Sequence, residues 1–273
     1  MAKVFKNFFQ LARNDLANQY ALPVKSLTGF VLTNHQANKN KALNKALIES
    51  LNIQNDDKLL ELGYGRGNGL SYALEKIGSG SGMVFGIERS VYMEEYCRKK
   101  FILEIAEQEK LRLDQAIDLR NLPYPTDFFD HIYHVDVFYF ILQQRLPRIC
   151  TELLRVLKPG GSLVCGMSLS RLKKFTEWGI LDESQWDPMR YMTCLEPAGF
   201  VDVKINYSSE TVKTPYELVT ARKPHADESY YDPIERMRQL EIQIKKDMLI
   251  KRMTESGQKP TQEDFELIEK ELK

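Results

Sequence analysis

The sequence predicts an α/β protein built on a mainly parallel sheet, and three observations predict it. From residue 58 to 168, short β-like runs alternate with helix-length amphipathic segments. Such alternation with short turns implies parallel strands joined by helical crossovers. The first β-like run leads straight into a glycine-rich turn, LELGYGRGNGL at 60–70. After residue 200 two further runs, FVDVKINY (200–207) and PYELVTAR (215–222), have too short a connection for a crossover, so they are expected to pair antiparallel.

Taken in order, residues 3–18 carry Phe5, Phe8, Phe9, Ala12 and Leu16 on one helical face. A second helix is expected over 38–51, with Leu43, Ala46, Leu47 and Leu51 as its stripe. KLLEL (58–62) reads as a strand, 67–77 as a helix and GSGSG (78–82) as a turn. MVFGIE (83–88) is a strand, 91–109 an amphipathic helix and LRLDQAI (111–117) a weaker strand. DHIYHVDV (130–137) is a strand, followed by a helix over 143–157. KPGG (158–161) reads as a turn into the strand SLVCGMS (162–168), because Pro and Gly set a turn backbone whatever the function. Residues 171–198 read as helical or irregular, with Trp178, Trp186, Met189 and Tyr191 making them apolar enough to act as a lid or to pack on the sheet. The charged segment 225–273 has a helical stripe of Ile234, Met237, Leu240, Ile244 and Met248. Three parts are expected: an N-terminal helical segment over 1–50 that covers the site, a cofactor-binding domain over 51–224, and a charged helical extension over 225–273.

Bulk properties narrow the function classes. The 273 residues suffice for one domain with a real core and appendages. Lys+Arg and Asp+Glu balance at 38 each, so no global field draws the chain to nucleic acid or to an anionic membrane, although a local patch stays open. No apolar run approaches the roughly 18–20 residues that span a bilayer. The first twenty residues make a poor secretory signal, and Asp15 argues against a mitochondrial address. Cys97, Cys150, Cys165 and Cys194 show no CxxC or framework spacing and read as reduced core thiols, which points to a cytoplasmic setting. His35, His131, His134 and His225 lack metal-ligand spacing, so no metal is expected.

Four glycines at alternate positions, Gly63, Gly65, Gly67 and Gly69, suggest that a ligand must approach the backbone. The dinucleotide fingerprint G-x-G-x-x-G fails in every register, since its third glycine falls on Asn68 or Leu70. A Walker loop fails as well. Glu61, two residues before the first glycine, would repel a pyrophosphate and suits a cofactor carrying an amine. Glu88, at the end of the next strand, can accept both hydroxyls of a ribose. A nucleoside with an ammonium group and no phosphate fits, and S-adenosylmethionine has those parts.

LLELGYGRG, GIERS, IDLRNLPYPTDFFDHIYHVDVFYFI and LLRVLKPGGSLV resemble, in order and spacing, the motifs of class I S-adenosylmethionine-dependent methyltransferases. The resemblance covers about residues 20–224. It is nearest to the small-molecule branch that includes the quinone-biosynthesis type, and HQANKNKALNKALIESLNI resembles the Asn-rich helix some members place before the first strand. It implies a Rossmann-like three-layer α/β/α sandwich, with a seven-stranded, mostly parallel sheet whose last strand is antiparallel. It implies that Gly63, Gly65 and Gly67, with Tyr64 among them, let the backbone approach the cofactor's amino-acid moiety. Glu61 would help to hold the ammonium. Glu88 would bind the ribose with Arg89 beside the adenine. Asp118 would accept from the adenine amine, while the Leu119 N–H faces the ring. Val135 would lie near the methionine portion.

The general base is not assigned. His134, Asp136 and Tyr139 are candidates, but Tyr139-Phe140 stands where many relatives carry a His pair. The aromatic run Phe138-Tyr139-Phe140 suits an apolar or planar acceptor, and equally the packing of a helix start. The expected partner is a small-molecule acceptor, without nucleic acid and with homo-oligomerisation through the terminal helices. A protein or RNA methyltransferase and a non-catalytic binding module are the alternatives. The neutral charge and the absence of a basic tract disfavour RNA.

Overall fold

The computed structural model describes residues 14–115, 118–208 and 215–225, with single helical positions at 242, 245, 246, 248, 249, 253 and 265. The chain divides into two compact units, 1–225 and 226–273.

The first unit is a seven-stranded sheet with helices on both faces. Its strands are β1 (Lys58–Leu62), β2 (Met83–Glu88), β3 (Leu111–Gln115), β4 (Phe129–Val135), β5 (Leu157–Met167), β6 (Val201–Tyr207) and β7 (Glu217–Arg222), in the order β3-β2-β1-β4-β5-β7-β6. The pairs among β1 to β5 are parallel. β7 runs antiparallel to both of its neighbours, β5 and β6. The expected sandwich with its antiparallel last strand is therefore what forms.

The central strands read as near-continuous apolar runs because both faces are covered. In β1, Leu59 packs with one core and Leu60 and Leu62 with the other. The first core holds buried apolar residues from α3 (Lys41–Ser50), α4 (Asn68–Ile77) and α5 (Val91–Lys100), the last through Cys97. The opposite one holds those of α7 (Leu146–Val156), α8 (Leu169–Glu177) and α10 (Pro188–Ala198). All four cysteines are free and buried in these layers.

Three expectations need correction. The helix expected over 91–109 breaks at Phe101 into α5 and α6 (Ile102–Ala106), because Phe101 turns into the core. The helix expected over 38–51 is α3 alone, and a separate helix α2 (Leu27–Lys39) precedes it, the two meeting at Asn40. KPGG is a bulge inside β5 rather than a turn before it. The register jumps from Phe129↔Leu157 to His131↔Ser162, and Gly160 takes φ 79°. The stretch 171–198 contains α8, a short α9 (Glu183–Trp186) and α10. Before α2, residues 14–21 are helical and form α1. The rest of the helix expected at 3–18, and Ile234, Met237, Leu240 and Ile244 of the tail stripe, lie outside the described residues. Met248 is helical and exposed.

Candidate active site

Strand order reverses between β1 and β4. In an open α/β sheet the crevice at the carboxyl ends of such strands is where ligands bind. A cavity of about 380 Å³ lies there. Of the expected site residues, Glu61, Gly63, Tyr64, Gly65, Glu88, Arg89, Asp118, Leu119 and Val135 line it. Gly67 does not.

The glycine turn carries left-handed backbone at alternate residues, Gly63, Gly65 and Gly67. Gly65 has φ 50°, and a Cβ built on it would meet no atom within 4 Å. Here the missing side chain leaves space for a ligand. Gly67 is needed for another reason. A Cβ there would sit 2.5 Å from the Phe101 ring, so it makes room for packing behind the site. Tyr64 presents its backbone to the cleft, while its ring is buried against Gly86.

Two buried carboxyls flank this turn. Glu61 is 3% exposed and accepts a 3.3 Å hydrogen bond from the Tyr133 hydroxyl. Its carboxyl lies against Gly69 at the start of α4, where any side chain would clash with it. Burial pushes its pKa up to about 8, against the pull of the Tyr133 hydrogen bond. Glu88 is oriented by three backbone donors. Its Oε2 accepts from the Gly65 N–H at 3.0 Å, and its Oε1 accepts from Arg89 and Ser90 at 2.8 and 2.9 Å. Burial raises the Glu88 pKa despite those donors. No cation of the described residues forms an ion pair with either acid. Two buried acids without a partner cation suit a cationic ligand. S-adenosylmethionine carries an ammonium and a sulfonium, so the donor set fits it.

At the adenine end the expectation for Asp118 meets a competing interaction. Its carboxylate is gripped by the Arg120 guanidinium, with the closest contact at 2.7 Å, and accepts from the Arg120 N–H at 3.0 Å. Those hydrogen bonds hold its pKa down to about 2. The Asp118 oxygens are already engaged, whereas Arg89 and Leu119 line the cleft without such a competitor.

Of the three base candidates, only Asp136 lines the cleft. His134 is 1% exposed in the core, with Nε2 3.1 Å from the Tyr191 hydroxyl, and burial lowers its pKa to about 3. His131 pairs with Asp57 at 3.2 Å, away from the cleft. Tyr139 is buried beside Asp136 without a well-formed hydrogen bond, and burial drives its phenol pKa well up. Asp136 does line the cleft, on a left-handed backbone of φ 61°. Its Oδ2 accepts from Asn40 Nδ2 at 2.7 Å and from the Arg171 guanidinium, which also donates to Asn40 Oδ1.

This bracket belongs to a roof whose individual residues the motif reading did not assign. The segment 20–44 lines one wall of the cleft with Tyr20, Ala21, Pro23, Thr33, Gln36, Ala37, Asn40 and Asn44. It is tied down along its length. Ser90 Oγ donates to the Pro23 carbonyl at 2.6 Å, Arg66 donates to Thr33 Oγ1 at 3.0 Å and Asn68 Nδ2 donates to the Ala37 carbonyl at 2.6 Å. The Arg66 guanidinium also lies 4.1 Å from the Tyr96 ring centroid and 5.2 Å from that of Phe30. The Asn-rich stretch was the one signal for Asn40. Nothing local marks Arg171.

Comparison with known proteins agrees with this geometry. Residues 60–165 match a family described as a methyltransferase domain. Phosphoethanolamine N-methyltransferase 1 of Zea mays is 32% identical over 121 residues, which are 44% of this chain and 22% of that protein. The matched stretch thus spans about a fifth of that curated relative's length. Among solved structures, a putative methyltransferase in complex with the Haloferax volcanii Trm112 activator aligns with a TM-score of 0.55 at 19% identity, covering 71% of this chain and 93% of that one. A geranyl diphosphate methyltransferase in complex with SAM aligns with a TM-score of 0.53 at 14% identity, covering 67% and 85%. At these identities the structural likeness concerns the fold.

Proposed function

We propose, from the match of residues 60–165 to a methyltransferase domain family, that the chain is S-adenosylmethionine-dependent and moves a methyl group from this cofactor to a small-molecule acceptor. The carrying observation is the open glycine Gly65 between the two buried carboxyls Glu61 and Glu88. In this reading Glu61 faces the ammonium and Glu88 the ribose. The backbone at Gly63, Tyr64 and Gly65 follows the methionine portion, Val135 bounds it, and Arg89 and Leu119 flank the adenine. Gly67 acts one step removed, by seating Phe101 behind the turn.

The cofactor supplies an activated methyl on a positively charged sulfur. The chain's own task is alignment and exclusion of water. The segment 20–44 roofs the cleft and Phe140, Ile141 and Leu142 wall it, which favours an acceptor small enough to be enclosed. The apolar side of that wall suits a planar or apolar body of the quinone-biosynthesis kind. His134 and Tyr139 are buried out of the cleft, and Asp136 is paired with Arg171. The acceptor is therefore one that needs no strong base from the chain, such as a neutral amine or an acidified hydroxyl. A protein substrate would require the roof to open.

Titration calorimetry with S-adenosylmethionine and with its demethylated product tests the cofactor assignment. Binding is expected for the wild type, and loss of it in Gly65→Arg and Glu88→Ala. Unchanged affinity in both variants would refute the assignment. Methyl label transferred into a lysate and separated by size tests the acceptor, which is expected in the low-mass fraction.

A further inference from the structure

The roof has an outer face, and its composition is unusual. Leu27, Phe30 and Val31 fall at i, i+3 and i+4 on α2, and all three are exposed, Leu27 by 82%. Leu22 and Val24, in the turn before α2, are exposed as well. The residues that α2 buries are Gly29 and Thr33. The helix thus turns large apolar side chains outward and small or polar ones inward, the reverse of a helix packed on a core. Single exposed apolar residues are ordinary, but five within ten residues form a patch that fits a contact.

A second observation says what kind of contact. The chain is neutral as a whole, yet its first fifty residues hold seven Lys and Arg against two Asp and Glu. Among the described residues of this segment, Lys25, Lys39, Lys41 and Lys45 are exposed. Lys25 and Lys45 reach only loose, exposed partners, Glu95 at 3.4 Å and Glu49 at 3.8 Å. Lys39 and Lys41 make no ion pair among the described residues. An exposed apolar stripe beside exposed lysines is the pattern of a helix that lies in a membrane interface and is drawn there by anionic headgroups.

We propose that the segment 22–41 is a docking surface for an anionic lipid bilayer, with Leu27, Val31 and their neighbours entering the headgroup region and Lys39 and Lys41 facing acidic headgroups. The inner side of the same segment lines the cleft through Pro23, Thr33 and Gln36. A chain docked this way holds the cleft wall against the bilayer. The inference does not rest on methyl transfer, and its test does not use it.

The test is co-sedimentation of the full chain with vesicles of phosphatidylcholine alone and with about a third of the lipid replaced by phosphatidylserine. The wild type is expected to bind the anionic vesicles and to be released by salt. In Leu27→Glu/Val31→Glu the partition should fall at least about tenfold, and Lys39→Glu/Lys41→Glu should lose the preference for phosphatidylserine. Calorimetry with S-adenosylmethionine checks that both variants keep the wild-type cofactor affinity, so a failure of the surface and a failure of the cofactor assignment are told apart. Absence of wild-type binding to the anionic vesicles would overturn the proposal. So would equal binding by Leu27→Glu/Val31→Glu. Ultracentrifugation is the third arm, since a self-associating wild type made monomeric by the same substitutions would assign the face to a second copy instead.

Discussion

Glu61 is placed so that its charge depends on what lies beside it. Its carboxyl holds a proton up to about pH 8 in the folded chain, because burial outweighs the Tyr133 hydrogen bond. In the unfolded chain the proton leaves near the ordinary value of 4.5. Between those values the folded form carries the extra proton. The associated stability is complete below the lower value and is lost as pH rises through the higher one. A ligand ammonium reverses the preference, since it favours the ionised carboxylate. Binding of S-adenosylmethionine near pH 7 is therefore expected to release a proton, with affinity rising by up to about tenfold per pH unit between 6 and 8. Calorimetry in buffers of different ionisation heat measures the released proton directly. Glu61→Gln should abolish the release, and a wild type that binds without proton exchange would contradict this account. The two acids were legible in the sequence because one ends a strand and the other lies next to a strand end just before a glycine turn, a local pattern. The division of labour among the glycines was not, since Gly65 and Gly67 differ only in what stands opposite them, open space or the Phe101 ring.

At the level of elements, the junction of α2 and α3 is held by a bracket whose members come from far apart in the chain. Arg171 and Asn40 are separated by 131 positions, and no spacing rule connects them. That is why the reading of 38–51 as one helix missed the break at Asn40. The Arg171 side chain is 19% exposed and that of Asp136 is 11% exposed. Removing the cation leaves a mostly buried carboxylate without its partner. Arg171→Met is expected to cost about 3 kcal/mol of stability, read from urea unfolding. It should also speed amide exchange in α2 and at Asn40. Asn40→Ala removes one hydrogen-bonding side chain and should cost nearer 1 kcal/mol. A variant at Arg171 that unfolds at the wild-type midpoint with unchanged exchange would mean that the bracket does not hold the roof. KPGG illustrates the opposite case. Its residues announce a turn, and a sharp bend does occur, but pairing with Lys223, just past the end of β7, draws it into β5. The Gly160 N–H donates to the Lys223 carbonyl and the Lys223 N–H to the Gly161 carbonyl.

For the whole molecule, alternation of strands and helices sufficed to foresee the parallel sheet, and the short link between the last two strands foretold their antiparallel pairing. Both follow from chain geometry rather than from long-range contacts. The division into 1–225 and 226–273 carries a prediction of its own. All described residues lining the cleft fall within the first unit, as do the described residues of both cores. A chain ending at residue 225 is expected to unfold cooperatively and to bind S-adenosylmethionine within about twofold of the full chain, a difference of less than half a kcal/mol. Calorimetry on the shortened chain checks this. A tenfold loss would assign the second unit a part in the site.

The place of β7 has a consequence for how the molecule is made. It is the last strand among the described residues, yet it lies between β5 and β6 in the sheet. Until residues 217–222 leave the ribosome, β5 keeps a bare hydrogen-bonding edge and β6 has no neighbour to join. A nascent polypeptide held short of that point displays an unpaired strand edge of the sort that recruits stray partners. Sealing of the sheet thus waits for almost the final residues of the first unit, and translation of the 226–273 segment, which follows, gives that strand time to slot home while the chain is still tethered.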